Sequence, residues 1–343
     1  MDFTPTDDRR MLADTADRFL RDRYDHETRM KIAGSDEGWS RELWSEMAEL
    51  GLIGALFTEE DGGFAGHGHD IALIFERLGQ ALVVEPFHGA LAGRALPAEQ
   101  REEVIAGTLI PALAHSEAAA PFAVDRMRSR VEDGKLTGRK VAVPLAEAAD
   151  IFVVSAQGPD GPGLFAVEAS DAEVTGYPLM DGGRGGDVTF DGAPATALDT
   201  SLDTVLDTCL LALSAEALGQ MERCKDATVD YLKTRKQFGV PLSKFQALQH
   251  RVVDMVTEIE QTRSSVINAG QHLGGDRASR YAAAAKFTAS ETGRKIAEET
   301  IQLHGGIAMT WEYDLAHVAK RLVMIAQIMG DEDEHLTRFA RLT

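Results

Sequence analysis

The stretch TRKQFGVPLSKFQALQHRVVDM, Thr234–Met255, joins two helical patterns and decides how the chain is read. Asp226, Tyr231 and Leu232 bring a helix in from upstream. Arg235 and Lys236, then Gln237, Phe238 and Gly239, break it, and Pro241 restarts the chain. Phe245, Leu248, Val252, Val253 and Met255 recur at helical spacing on the next helix. A cationic, aromatic turn closed by glycine suits an anionic aromatic ligand. Arg235 offers a forked donor to a phosphate, Phe238 a flat apolar face, and Gly239 room for the backbone to bend. The same spacing also fits an ordinary helix–turn–helix whose basic residues are only solvated.

The 343 residues are 44% hydrophobic and 26% charged, the composition of a globular protein large enough for two or three domains. A net charge of −20 argues against nucleic acid and anionic membrane surfaces as partners, so any site for a polyanion must be a local basic patch. Cys209 and Cys224 give no disulfide framework and fit a reducing cytoplasm. The opening MDFTPTDDRRM has no apolar signal region, and no run is long enough to span a bilayer. A cytoplasmic location is expected.

Residues 1–115 read as a helical domain. Thr6 or Asp7 caps a first helix with Met11, Leu12, Ala16, Phe19 and Leu20 on one stripe, and Ser40 caps another with Leu43, Trp44 and Met47 inward. The turn Thr58–Gly63 separates these from helical patterns over 71–81 and 82–96. In Gly66-His67-Gly68-His69-Asp70, alternate residues on a glycine-rich loop converge poorly on one ion, so Asp70 reads as a helix cap rather than a metal ligand. Residues 116–197 carry short runs punctuated by Gly, Asp and Pro, the texture of a β-sandwich or barrel. The string Gly182–Gly186 neither follows a buried strand nor opens a helix, which excludes a phosphate-binding loop and leaves a loop in a β domain. Residues 198–343 read as an antiparallel four-helix bundle. Its helices start at Asp203 or Thr204, run over 242–272, from 277 to Gly305-Gly306, and over 315–328. Asp331 then caps a short last helix, with Glu332, Asp333 and Glu334 at its positive end.

TRKQFG, FQALQH, QLHGG at 302–306 and Glu312-Tyr313 together resemble the C-terminal domain of the acyl-CoA dehydrogenases. The segment GLIGALFTEEDGG at 51–63 is similar to the N-terminal domain of the same family. The resemblance implies the three-domain acyl-CoA dehydrogenase fold, FAD as cofactor, an acyl-CoA substrate oxidised between its α and β carbons, and an electron-transfer flavoprotein as acceptor. It also implies that Arg235, Gln237, Phe238, Gln302, Gly305 and Gly306 contact the FAD of a neighbouring subunit. From the residues alone, Gly305-Gly306 serves equally as a close-approach site for a diphosphate or as a helix C-cap.

The chain departs from the family pattern where the flavin ring is held. Family members carry Thr-Glu-Pro, Gly-Ser-Asp and Trp-x-Thr segments; here stand 114–121 (AHSEAAAP) and 142–146 (AVPLA), without the hydroxyls and the tryptophan. The family's catalytic glutamate occupies one of two positions, and these match Met329 and Cys209. Asp207 is a weak substitute, read more readily as a first-turn acid complementing the helix dipole. This asymmetry resembles the short subunit of heteromeric α2β2 enzymes of the pimeloyl-CoA and steroid side-chain type, with a longer subunit supplying the base. Two other readings stay open: a homomeric dehydrogenase using Asp207, and a non-catalytic binding or structural member of the fold.

Overall fold

A computed structural model describes residues 6–119 and 124–342. Six helices come first: α1 (Asp7–Arg23), α2 (His26–Ala33), α3 (Arg41–Glu49), α4 (Gly68–Ala81), α5 (Phe87–Gly93) and α6 (Ala98–Ile105). Eight strands follow: β1 (Pro111–Ala114), β2 (Arg130–Glu132), β3 (Lys135–Pro144), β4 (Ile151–Gly158), β5 (Gly161–Glu168), β6 (Glu173–Pro178), β7 (Arg184–Pro194) and β8 (Thr196–Leu198). The chain then enters α7 (Leu202–Thr234) and turns through the hairpin β9 (Lys236–Gln237) and β10 (Val240–Pro241). It finishes with α8 (Gln246–His272), α9 (Ala278–His304), α10 (Asp314–Ile325) and α11 (Glu332–Arg341).

Side-chain oxygens define several helix starts. Thr6 accepts from the Arg9 amide, Ser40 from Leu43 and Asp331 from Glu334, as the sequence pattern predicts. The first bundle helix starts earlier than expected because Ser201 accepts from the Thr204 amide and leaves Asp203 in the first turn. Asp70 accepts from the His67 amide at 3.1 Å and pairs with Arg9 at 2.6 Å. Among the described residues no group of His, Cys, Asp and Glu is arranged to hold a metal ion. Among the described residues no helix is long and apolar enough to cross a membrane, and both cysteines are buried and free.

The sheet runs β6-β7-β3-β2-β4-β5-β8, with β1 added to β4. Its two halves join at one residue pair, Arg130 with Gln157. Phe152 of β4 and Phe190 of β7 are not on neighbouring strands, yet their rings pack edge-on at 6.0 Å, so the sheet curls over its own core. Three details differ from the sequence reading. Strand β1 begins inside the stretch read as helical, and it pairs in parallel with β4. The runs at 135–136 and 141–143 are one strand, β3, interrupted by a bulge between Lys140 and Val143. Gly185 and Gly186 belong to β7, where the missing side chains admit Leu179 and Ala146.

Glycine also sets how the helical layers meet. A Cβ on Gly219 of α7 would overlap the carbonyl of Glu76, and one on Gly79 of α4 would overlap that of Glu216. Gly68 at the start of α4 meets Gly270 of α8 in the same way. These contacts seat α4 on the bundle at backbone distance. Gly219→Ala is expected to lower stability by about 1–3 kcal/mol through overpacking, read from urea denaturation. Gly306→Ala, facing open space, should stay within about 0.5 kcal/mol of the parent.

Candidate functional site

A cavity of about 180 Å3 lies where the helical layer, the sheet and the bundle meet. Phe75 and Leu78 of α4, Phe87 and His88 of α5, and Cys209, Leu213 and Glu216 of α7 form part of its wall. The sheet adds His115 and Ser116 after β1, and 141–145 around the β3 bulge. Arg321 and Met324 of α10 and Met329 beyond it complete the enclosure.

A buried charge network forms one side. Arg321 donates through Nε and Nη2 to the two oxygens of Glu216, at 2.7 and 3.0 Å, and through Nη1 to Asp181 at 3.0 Å. His88 Nε2 meets Glu216 Oε2 at 2.8 Å, and Gln220 donates to Oε1 at 3.1 Å. Burial works against the charge of Glu216, but Arg321 and His88 outweigh it and hold the carboxyl at about 2. Arg29, also buried, is covered by the carbonyls of Leu82 and Asp181.

Both positions matched to the family's base line this cavity, and neither is a base. Burial pushes the Cys209 thiol up to about 12, so it stays neutral. The thioether of Met329 has no basic site. Asp207 does not line the cavity: its oxygens accept from Ser279 Oγ at 2.6 Å and Arg338 Nη2 at 2.9 Å. Burial raises its pKa, against the pull of these two partners. Of the acids in the wall, Asp181 and Glu216 are spent on internal donors. Glu85 has its pKa raised by burial, and its oxygens accept from Tyr24 at 2.7 Å and the Ser40 amide at 3.3 Å.

The segment 114–121, read as lacking flavin-holding hydroxyls, places Ser116 on the cavity beside His115; Ala120 and Pro121 lie outside the described residues. His115 Nδ1 lies 2.9 Å from Ser155 Oγ. Lys140 is fully buried and donates to the His115 carbonyl, Glu117 and Ser155. Burial, aided by Lys140, brings the His115 imidazole down to about 4, so it is neutral at pH 7.

The other group of expected site residues sits at one end of the bundle. Arg235, Gln237 and Phe238 surround the β9–β10 hairpin, whose central residues Phe238 and Gly239 both have left-handed φ, the geometry of a tight two-residue hairpin turn. Phe238 is 90% exposed. Gln302, Gly305 and Gly306 are exposed at the end of α9, and the rings of Tyr231 and His304 pack at a tilt with centroids 4.5 Å apart, tying the end of α7 to the end of α9. Among the described residues, the side chains of Arg235, Gln237 and Gln302 have no hydrogen bond or ion pair within the chain. A Cβ at Gly305 or Gly306 would meet nothing within 4 Å. The hairpin and the α9 end therefore present unspent donors and open backbone to the outside.

Residues 6–104 match the family profile for the N-terminal domain of acyl-CoA dehydrogenases, and residues 204–341 match that for the C-terminal domain. The chain belongs to the acyl-CoA dehydrogenase family, an FAD-dependent oxidoreductase family. It is 30% identical to acyl-CoA dehydrogenase IpdE2 of Mycolicibacterium smegmatis, covering 97% of this chain and 98% of the relative. The Mycobacterium tuberculosis IpdE2 is also 30% identical, with 98% and 97% covered. A solved structure described as the Tcur3481-Tcur3483 steroid ACAD G363A variant superposes with a TM-score of 0.91 at 29% identity, over 98% of this chain and 97% of that one.

Glu216 and Arg321 escaped the sequence reading. The signal was an acid inside the apolar run 205–221; its partner lies 105 positions away. Glu216 stabilises the fold fully above its ordinary value near 4.5, and that contribution is lost as pH falls toward about 2. Glu216→Gln should cost about 3–5 kcal/mol at pH 7 by stranding Arg321, and should flatten the acid limb of stability against pH, measured by denaturant titration.

Proposed function

We propose that this chain is the short subunit of a heteromeric FAD-dependent acyl-CoA dehydrogenase. A longer partner subunit supplies the catalytic glutamate, and together they dehydrogenate an acyl-CoA thioester between its α and β carbons. The observation that carries this reading is the cavity wall: Cys209 and Met329 stand at the two base positions, and Asp181 and Glu216 are spent. Removal of an α-proton needs a free carboxylate within reach of it. Among the described residues of the wall there is none, Glu85 being engaged by Tyr24 and Ser40, so in this reading the base comes from the partner.

The bundle end fits the phosphate-bearing part of FAD. Arg235 presents a guanidinium suited to a diphosphate, Gln237 and Gln302 add donors, Phe238 offers an apolar face, and Gly305-Gly306 leaves the backbone open to close approach. The cofactor, when bound, accepts the β-hydride. In this reading these residues serve the FAD whose ring rests on the partner. The paired name of the Tcur3481-Tcur3483 steroid enzyme supports a heteromeric assembly and makes bulky steroid-derived acyl-CoA thioesters the first substrates to assay. An electron-transfer flavoprotein is the expected acceptor.

Flavin absorbance tests the reading. Purified alone, the chain should be colourless; co-purified with its longer partner it should carry about one FAD per two chains. A full flavin per chain in the isolated protein would place the ring on this subunit and overturn the proposal. In the paired enzyme, Gly306→Ala should lower flavin occupancy while the thermal midpoint of the isolated chain stays unchanged. Arg235→Met should act in the same direction.

A further inference from the structure

A second pocket, of about 280 Å3, opens where α1, α2, the end of α4 and α7 meet. Its charge is unlike that of the chain. Arg21, Arg29, Arg77 and Arg223 line it against two acids, Asp17 and Asp25, in a molecule whose net charge is −20. The Asp25 carboxylate is already in use, since it accepts from the Thr28 amide at 2.8 Å and caps α2.

The guanidiniums outrun the carboxylates. Arg29 is 3% exposed, and among the described residues no carboxylate lies within 4 Å of it. Its nitrogens reach the carbonyls of Leu82 and Asp181 and the Met30 sulfur, while the Asp181 carboxylate serves Arg321. Burial lowers the pKa of Arg29, and the charges of Arg321 and Arg223 press the same way. Among the described residues Arg77 makes no hydrogen bond. Its Nε is buried 3.2 Å from Asp17 Oδ1 without hydrogen-bond alignment, and Nη1 lies 3.7 Å from Glu76 Oε1, which accepts from Arg263. Arg21 has only Asp22, at 3.5 Å. Arg223 is fixed by the Gln80 carbonyl at 2.8 Å and by Asp314 at 2.9 Å. A buried cation without a paired carboxylate is costly, and neighbouring cations add to that cost. An anion from outside the chain relieves it.

We propose that this pocket binds a phosphate group, with Arg77 and Arg21 as its donors and Arg29 and Arg223 as the fixed charge behind them. Four arginines against two aspartates leave an excess that matches a dianion. A phosphate carries close to two charges at pH 7 and three strong acceptor oxygens, enough for arginines that come from more than one helix. A carboxylate brings half the charge and two oxygens. The group has two sources, inorganic phosphate and the phosphate of a small organic molecule. Among the described residues the pocket shares none with the β9–β10 hairpin or the end of α9, so the proposal stands apart from the shared-cofactor reading.

Inorganic phosphate, sn-glycerol 3-phosphate, glycerol and succinate are titrated by calorimetry into the full chain at matched ionic strength. At least one of the two phosphates should bind with a Kd below about 1 mM, and glycerol should not bind. Tighter glycerol 3-phosphate assigns the organic source; tighter inorganic phosphate assigns the free ion. Arg77→Gln should weaken the preferred phosphate about tenfold, the loss of one charge-assisted hydrogen bond, and Arg21→Gln should act in the same direction. Asp17→Asn takes an acid from the lining and frees Arg77, so it should tighten binding, a change that a merely structural role for these arginines does not produce. Arg18→Gln, on α1 but outside the pocket, should leave the affinity unchanged. Succinate as tight as either phosphate, no saturation with either phosphate, unchanged affinity in folded Arg77→Gln, or weaker binding in Asp17→Asn overturns the proposal. Where the longer subunit co-purifies, phosphate should still bind; its loss there gives the pocket to an acidic side chain of the partner and overturns the proposal too. Flavin absorbance of the same samples tests the cofactor reading separately.

Discussion

The contact between Arg321 and Glu216 holds the parts of this molecule in one arrangement. Arg321 comes from α10 and Glu216 from the middle of α7; Asp181 from the turn before β7 takes the third nitrogen, and His88 adds α5. One guanidinium therefore fixes a bundle helix, a bundle core helix and a sheet turn relative to each other. A buried ion pair is weak evidence for net stability, since desolvation cancels much of the attraction. Its use here is geometric. The fork of Arg321 is satisfied only when all three elements sit in register. The backbone of Glu216 meanwhile lies against Gly79, so the residue that grips Arg321 with its side chain also seats α4 with its carbonyl.

That register creates two environments of opposite character. Inside, Arg321, Glu216, Asp181 and His88 are paired with one another, and the sulfur groups of Cys209 and Met329 sit near them without acid–base function. Outside, at the end of α7 and α9, Arg235, Gln237 and Gln302 stay unmatched in a chain whose net charge is −20. An acidic protein has ample carboxylates with which to neutralise a surface arginine. Leaving this one free, next to open glycines and a 90% exposed phenylalanine, keeps a local basic patch available against the general field.

Much of this was legible in the sequence because it is local. Helix periods, the caps at Thr6, Ser40 and Asp331, and the turn at Phe238-Gly239 depend on neighbours a few residues apart. The β1 strand was not legible, because four residues of Pro-Ala-Leu-Ala carry no alternation and become a strand only by lying along β4. The bulge in β3 reads as a gap, since its extra residues interrupt the period that marks a strand. The Lys140–Ser155–His115 chain beside the cavity was not legible either, because it joins residues 15 to 40 positions apart. Side-chain pairing across domains leaves no periodic trace.

The turn after α10 fixes where residue 329 meets the cavity. Met329 has φ 57° and Gly330 112°, so the chain reverses there in a conformation its side chain does not favour. Two buried groups impose it: His335 Nε2 contacts the Met329 carbonyl at 3.0 Å, and Lys286 Nζ donates to the Gly330 carbonyl at 2.8 Å. Burial brings the Lys286 amine down to about 7 and the His335 ring to about 3, so the clamp is held against the hydration of the Lys286 ammonium and keeps the imidazole neutral. Both act on carbonyls, which any residue at 329 would supply. The place of the side chain at 329 on the wall is therefore set by the backbone rather than by the thioether.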